Sequence, residues 1–146
     1  MTRHRVAVTG LGCVTPLGSS MPATWTALTE GKSGITPISF FDATGYPSSI
    51  AGEAQGFDPL ERLSNKESRK MDRFVQVGMV AGLEAYDDAG LNGELDKERF
   101  GVLIGAGIGG LETIERTTNT LLEKGPQRVS PFYIPSSIIN MVFISL

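Results

Sequence analysis

The 146-residue sequence contains one cysteine, Cys13, and one histidine, His4. A single cysteine excludes an intramolecular disulfide and a cysteine-cluster zinc site, and a single histidine removes the common multi-histidine metal centres. Long hydrophobic runs are also missing. No stretch approaches the roughly 20 apolar residues of a membrane-spanning helix. The start, Met1-Thr-Arg-His-Arg-Val6, leads into a short apolar run and not a signal-peptide core. Positive charge is not in excess: 13 Lys and Arg against 16 Asp and Glu leave a net charge of −3. Wholesale nucleic-acid binding, which marks basic domains, is thereby disfavoured. These absences lead to the expectation of a soluble chain of a reducing compartment, without a membrane or nucleic-acid partner.

The same scarcity removes a thiolate–imidazole pair. If the first strand runs unbroken from His4 to Cys13, nine steps of ~3.3 Å separate them by about 30 Å, well beyond hydrogen-bond reach. Cys13 reads as a small buried hydrophobe and His4 as a solvated terminal residue. The carboxylates offer little more. Asp87 and Asp88 fall in the last turn of an apolar helix and are expected to face solvent. Glu112 and Glu115 lie at a helix start, where anions favour the dipole.

What the sequence has in abundance is glycine, with 18 residues, about 12% against a usual ~7%. Many tight turns between strands and helices follow, and with them an α/β fold. Arg5-Val6-Ala7-Val8-Thr9-Gly10 reads as a buried strand, followed by Gly and Pro turns to Gly18. Ser20-Met21-Pro22 opens a helix carrying Trp25 and Leu28 and ending by Gly31. Residues 32–60 carry little regular structure beyond a strand-like patch at 49–52. Ser64-Asn65-Lys66-Glu67 has the form of a capping box. Asp72 caps a helix over 73–89, closed by Gly90-Leu91. Phe100-Gly101-Val102-Leu103-Ile104 reads as a second buried strand, and a glycine turn leads into a helix over 111–124. The last apolar segment, 138–146, reaches the end without a cap, turn or charge, and reads as an interrupted element.

Two features admit sharper readings. Gly105-x-Gly107-x-x-Gly110 matches the dinucleotide fingerprint, in which backbone N–H groups at a helix start cradle a pyrophosphate. No acidic strand end follows some twenty residues on, where Lys124-Gly125-Pro126 stands instead, and the glycines serve close strand–helix approach equally well. The second feature is basic. Arg62, Lys66, Arg69 and Arg73 are spaced so that one helix would align them, with Lys70 adjoining. They form either a solvated face, partnered by Glu61, Glu67 and Asp72, or a docking patch for an acidic partner.

Four ordered segments bring in a resemblance. They are Val6-Ala-Val-Thr-Gly-Leu-Gly-Cys-Val-Thr-Pro-Leu-Gly18, Lys66-Glu-Ser-Arg-Lys-Met-Asp-Arg73, Ile104-Gly-Ala-Gly-Ile-Gly-Gly110 and Pro131-Phe-Tyr-Ile-Pro-Ser-Ser-Ile-Ile-Asn-Met141. Together they resemble the N-terminal part of the bacterial β-ketoacyl-[acyl-carrier-protein] synthases of the type II class, condensing enzymes of thiolase fold. The resemblance implies the incomplete N-terminal half of a thiolase-like α-β-α-β-α sandwich over 1–142, with 143–146 as an apolar tail outside the family pattern. It implies an acyltransferase of fatty-acid synthesis that loads an acyl chain on a cysteine and condenses it with malonyl-carrier. Its partners would be acyl carrier protein, acyl and malonyl thioesters and a second subunit in a homodimer, with no metal or nucleotide cofactor. Lys66, Arg69 and Lys70 match the carrier-docking surface. Ile108 matches the lining of the acyl pocket, and Tyr133 and Ile134 match residues reaching across the dimer interface. No catalytic residue is carried over, because the family's nucleophilic cysteine and two histidines follow the position of Val142. The chain by itself is therefore expected to be inactive. A binding module that only docks carrier or a subunit is the alternative, and a dinucleotide-binding domain is the weaker one.

Overall fold

The computed structural model describes residues 5–91, 95–96 and 98–140. His4 and the segment from Met141 onward, on which two of the expectations rest, lie outside the described residues. The chain divides into two units: Met1–Phe57 with Ala81–Asn92, and Asp58–Val80 with Gly93–Leu146.

The first unit begins with a correction. Residues 5–10 carry no ladder, and Val6 is 92% exposed. β-Branched residues favour an extended backbone, but a strand exists only as a pairing, and no neighbouring strand flanks this segment among the described residues. Further along, side chains take the place of a ladder. The Leu11 N–H donates to Asp88 Oδ2 at 2.9 Å, and the Cys13 N–H donates to Glu84 Oε2 at 2.9 Å. Both acceptors stand on the far end of the long helix α3 (Arg73–Asp88). Asp88 is exposed as expected, yet its carboxylate is engaged. Gly10 and Gly12 allow this approach, since a methyl group on either would collide with backbone at Ala81 or Ala85 of α3 or at Ala89 just past its end.

Thr15 and Gly18 exchange backbone hydrogen bonds of 2.8 and 3.2 Å around Pro16-Leu17. Ser20 then caps α1 (Met21–Thr29), with Pro22 in the first turn. The second carboxylate oxygen of Glu84 accepts the Met21 N–H at 2.8 Å, placing a negative charge at the positive end of α1. Trp25 and Leu28 remain largely exposed. The loop region holds one more strand than the sequence announces. β1 (Ile35–Pro37) pairs antiparallel with β2 (Ile50–Gly52) in the register Ile35↔Gly52, Thr36↔Ala51, Pro37↔Ile50. Pro16 packs where side chains on Gly34 and Gly52 would stand, which explains two bare backbone positions beside this ribbon. Glu53 closes the loop beyond it. Its carboxylate accepts the Ser39 hydroxyl at 2.7 Å, the Ser39 and Phe40 N–H groups at 3.0 Å each, and the Gln55 amide at 3.0 Å. These bonds, Ser39's hydroxyl first among them, hold its carboxyl down at about 2.

The second unit assembles short helices around the first half of α3, whose Val75, Met79 and Val80 are its buried side chains. α2 (Asn65–Ser68) starts with the expected capping box: Ser64 accepts the Glu67 N–H while Glu67 accepts the Ser64 N–H at 3.0 Å. The Ser64 hydroxyl, followed by its backbone N–H, keeps the Glu67 carboxyl below the usual range. Asp72 precedes α3, and Gly90 ends it with φ +65° and the paired Gly90→Asp87 and Leu91→Tyr86 bonds of a Schellman turn. Residues 100–104 form no strand either; Leu103 is 99% exposed, for the reason given for 5–10. α4 (Leu111–Lys124) and α5 (Tyr133–Ser137) complete the unit. Pro135 lies inside α5 and not at its opening, which is tolerated because the first turn of a helix needs no N–H from it.

Candidate functional site

The residues singled out in the sequence gather in the second unit, on three connected pieces of backbone. α2 carries Lys66, and the turn after it carries Arg69 and Lys70, all three exposed. The single basic helix face expected from the spacing is not formed. A short 3-10 turn (Pro59–Glu61), α2 and α3 are separate pieces, so Arg62, Lys66, Arg69 and Arg73 do not share one axis. Capping wins over propensity here: Ser64 and Asp72 each start a new helix within eight residues.

The glycine turn stands behind this basic segment, held by one carboxylate. Asp72, buried, accepts the Thr113 N–H at 2.8 Å and the Phe74 N–H at 3.4 Å, serving the starts of α4 and α3 together. The Gly110 N–H donates to the Ser137 carbonyl at 2.9 Å. The Ser136 hydroxyl lies 2.6 Å from the Phe132 carbonyl and 3.1 Å from the Lys70 carbonyl, sharing its one proton between them. A side chain on Gly110 would come within 2.8 Å of Ser137 Cα and 3.0 Å of Asp72 Oδ2, and Gly109 adopts φ +86°. The glycines therefore serve close packing. Two of the N–H groups that a pyrophosphate would need, those of Gly110 and Thr113, are committed to the protein itself, and among the described residues no strand precedes the turn. The dinucleotide reading fails on both counts.

Ile108 projects from this turn, 68% exposed, while Tyr133 is half-buried and Ile134 exposed on α5. Lys70 joins the two groups. Its ammonium lies 5.8 Å from the centre of the Phe132 ring, next to Tyr133. Leu63, Met71, Met79, Phe132 and Pro135 line a mainly apolar groove of about 360 Å³, with Lys70 and Glu67 at its rim. Arg69 belongs to a different concavity, a polar cavity of about 420 Å³ shared with Asp72, Arg73, Gln76, Glu112 and Arg116. Sequence reasoning missed Asp72's second partner and Arg116. No local pattern signals either one, since Thr113 lies 41 residues from Asp72.

Elsewhere the chemistry is sparse. Cys13 is half-buried, its Sγ 3.6 Å from Met21 Sδ and 3.4 Å from Thr24 Oγ1; the Glu84 carboxylate meets its backbone N–H and is not among the partners of the sulfur. Among the described residues no cluster of three or more His, Cys, Asp or Glu could hold a metal ion, and no helix is long and apolar enough to cross a membrane.

Comparison with known proteins decides what this arrangement belongs to. Residues 3–143 match the N-terminal domain of the beta-ketoacyl synthases. The chain belongs to that family. It is 50% identical over 143 residues to 3-oxoacyl-[acyl-carrier-protein] synthase 2 of Vibrio harveyi and 48% identical over 142 residues to the enzyme of the same name from Coxiella burnetii. Each alignment covers 97% of this chain and 34% of the relative, so the chain spans about a third of the length of these beta-ketoacyl synthases. Among solved structures, a type II polyketide ketosynthase in complex with its acyl-carrier protein superposes with a TM-score of 0.80 at 26% identity, over 99% of this chain and 39% of that one. A beta-ketoacyl synthase from Burkholderia phymatum gives 0.75 at 28% identity, over 96% of this chain and 35% of that one. These neighbours are thiolase-like ketosynthases. The expected fold class, an incomplete thiolase-like α/β half, is borne out, although two of its expected strands stand unpaired.

Proposed function

We propose that this chain is the N-terminal part of a 3-oxoacyl-[acyl-carrier-protein] synthase of fatty-acid synthesis, supplying the carrier-docking surface and part of the acyl pocket. The observation that carries the reading is the junction at Lys70. Its carbonyl is bonded to Ser136 and its ammonium lies over Phe132, so the basic turn 66–70 and the Tyr133–Ile134 helix are one construction. Lys66, Arg69 and Lys70 attract an acidic carrier protein, as exposed charges do: they raise encounter rate and set register more than they deepen affinity. Ile108, Tyr133 and Ile134 present apolar surface to the acyl chain, the latter two across a homodimer interface. The whole enzyme would transfer the acyl group to a cysteine and join it to malonyl-carrier with loss of carbon dioxide, in the cytoplasm. That cysteine and its two histidines follow Val142 in the family pattern, so the residues of this chain bind and position but do not perform the condensation.

Titration of the chain with a bacterial acyl carrier protein tests the reading. Arg69→Glu with Lys70→Glu should weaken binding about tenfold or more at low salt, because each change replaces an attraction by a repulsion. Unchanged affinity would leave these cations as a solvated surface.

A further inference from the structure

The polar cavity beside α4 contains an arginine outside the basic turn 66–70. Arg116 is exposed, on the second turn of α4, and donates to Thr113 Oγ1 at 3.4 Å. It lines the cavity together with Arg69 and Arg73, against two carboxylates, Asp72 and Glu112. Asp72 is engaged by the N–H groups of Thr113 and Phe74, and Glu112 sits in the first turn of α4, where the helix dipole holds it. With both carboxylates engaged by α3 and α4, Arg69 and Arg116 line the cavity without an ion pair among the described residues. Two of the guanidinium groups approach it from different helical segments, one after α2 and one on α4.

We propose that a carboxylate side chain of the acidic carrier protein seats in this cavity between Arg69 and Arg116, so that the docking surface continues from α2 onto α4. The proposal rests on the carrier-docking reading and extends it to a residue outside the basic turn. A guanidinium fork matches a carboxylate with two parallel hydrogen bonds, which an ammonium cannot do. Arg69 supplies the continuity, since it belongs to the docking turn and to the cavity wall at once. Arg116 is then a specificity element: it fixes where along the basic surface the acidic partner comes to rest.

A double-mutant cycle on the 146-residue chain, titrated with acyl carrier protein at low salt, tests this. Alanine is the strongest helix former, so Arg116→Ala at an exposed position keeps α4; Arg116→Gln, which keeps length and polarity, serves as its replacement if helix content falls. Arg69→Gln and Arg116→Ala should each weaken binding about threefold to fivefold, in the range of exposed ion pairs. Because both grip one carboxylate, the double variant should lose clearly less than the product of the two. A loss on Arg69→Gln with none on either Arg116 variant overturns the proposal and leaves the docking reading intact. Losses that multiply fully overturn the shared seat. No binding by the unaltered chain, or none lost with Arg69→Gln, overturns the docking reading and this extension with it.

Discussion

Single carboxylates do much of the organising in this chain. Asp72 starts two helices, Glu84 holds the Cys13 and Met21 N–H groups, and Glu53 gathers Ser39, Phe40 and Gln55. The Glu53 carboxyl titrates near 4.5 when free and at about 2 in the fold. A depressed acid pKa stabilises the fold above the free value, and that contribution is lost as pH falls from about 4.5 through about 2. Amide exchange at Ser39 and Phe40, taken relative to the intrinsic rate at each pH, should therefore accelerate across this interval, and Glu53→Gln should show the fast relative rates already at neutral pH. Rates that ignore both acid and the substitution would mean the loop is held by other contacts. Cys13 gives the complementary residue-scale expectation. The hydrogen-bond partners of its sulfur are a thioether and a hydroxyl, and the neighbouring Glu84 carboxylate is taken up by the Cys13 and Met21 N–H groups, so acyl-carrier thioesters should not acylate it. Intact-mass analysis after incubation checks this, and stoichiometric acylation of Cys13 would contradict it.

Helices whose ends are encoded locally were legible, and elements that depend on distant partners were not. Ser20, the Ser64–Glu67 box and Gly90-Leu91 sit within a few residues of the groups they satisfy, and the structure places helix ends at each of them. The segments 5–10 and 100–104 have strand composition but no paired neighbour among the described residues, and β1 was missed because Ile35-Thr36-Pro37 is only three residues long. The glycine turn shows the same division. Its glycines were visible in the sequence, but their reason, the approach of Ser137 and Asp72, was not. Gly110→Ala should force α4 away from α5 at a cost of about 1–3 kcal/mol, the usual range for overpacking. The peptide spanning residues 109–116 should then exchange faster by mass spectrometry. Unchanged protection there would show that the α4 start tolerates a side chain.

At the scale of the molecule, the candidate site is a junction of segments far apart in sequence: 66–72, 105–116 and 131–138. All three hold motifs that carried the family resemblance, so the site's membership was readable even though its geometry was not. Lys70 and Arg69 are neighbours in sequence, yet they serve different concavities, one apolar and one polar, and only the structure separates them. The central claim is that this junction recognises an acidic carrier through exposed charge. It is tested most directly by the dissociation constant of the chain with acyl carrier protein, followed from about 0.1 M to about 1 M salt, over which the Debye length shrinks from ~10 to ~3 Å. Affinity should fall steeply with rising salt, with a flattened dependence for the chain carrying Arg69→Glu and Lys70→Glu. Affinity that stays constant with salt, or that falls equally steeply in both chains, would contradict it.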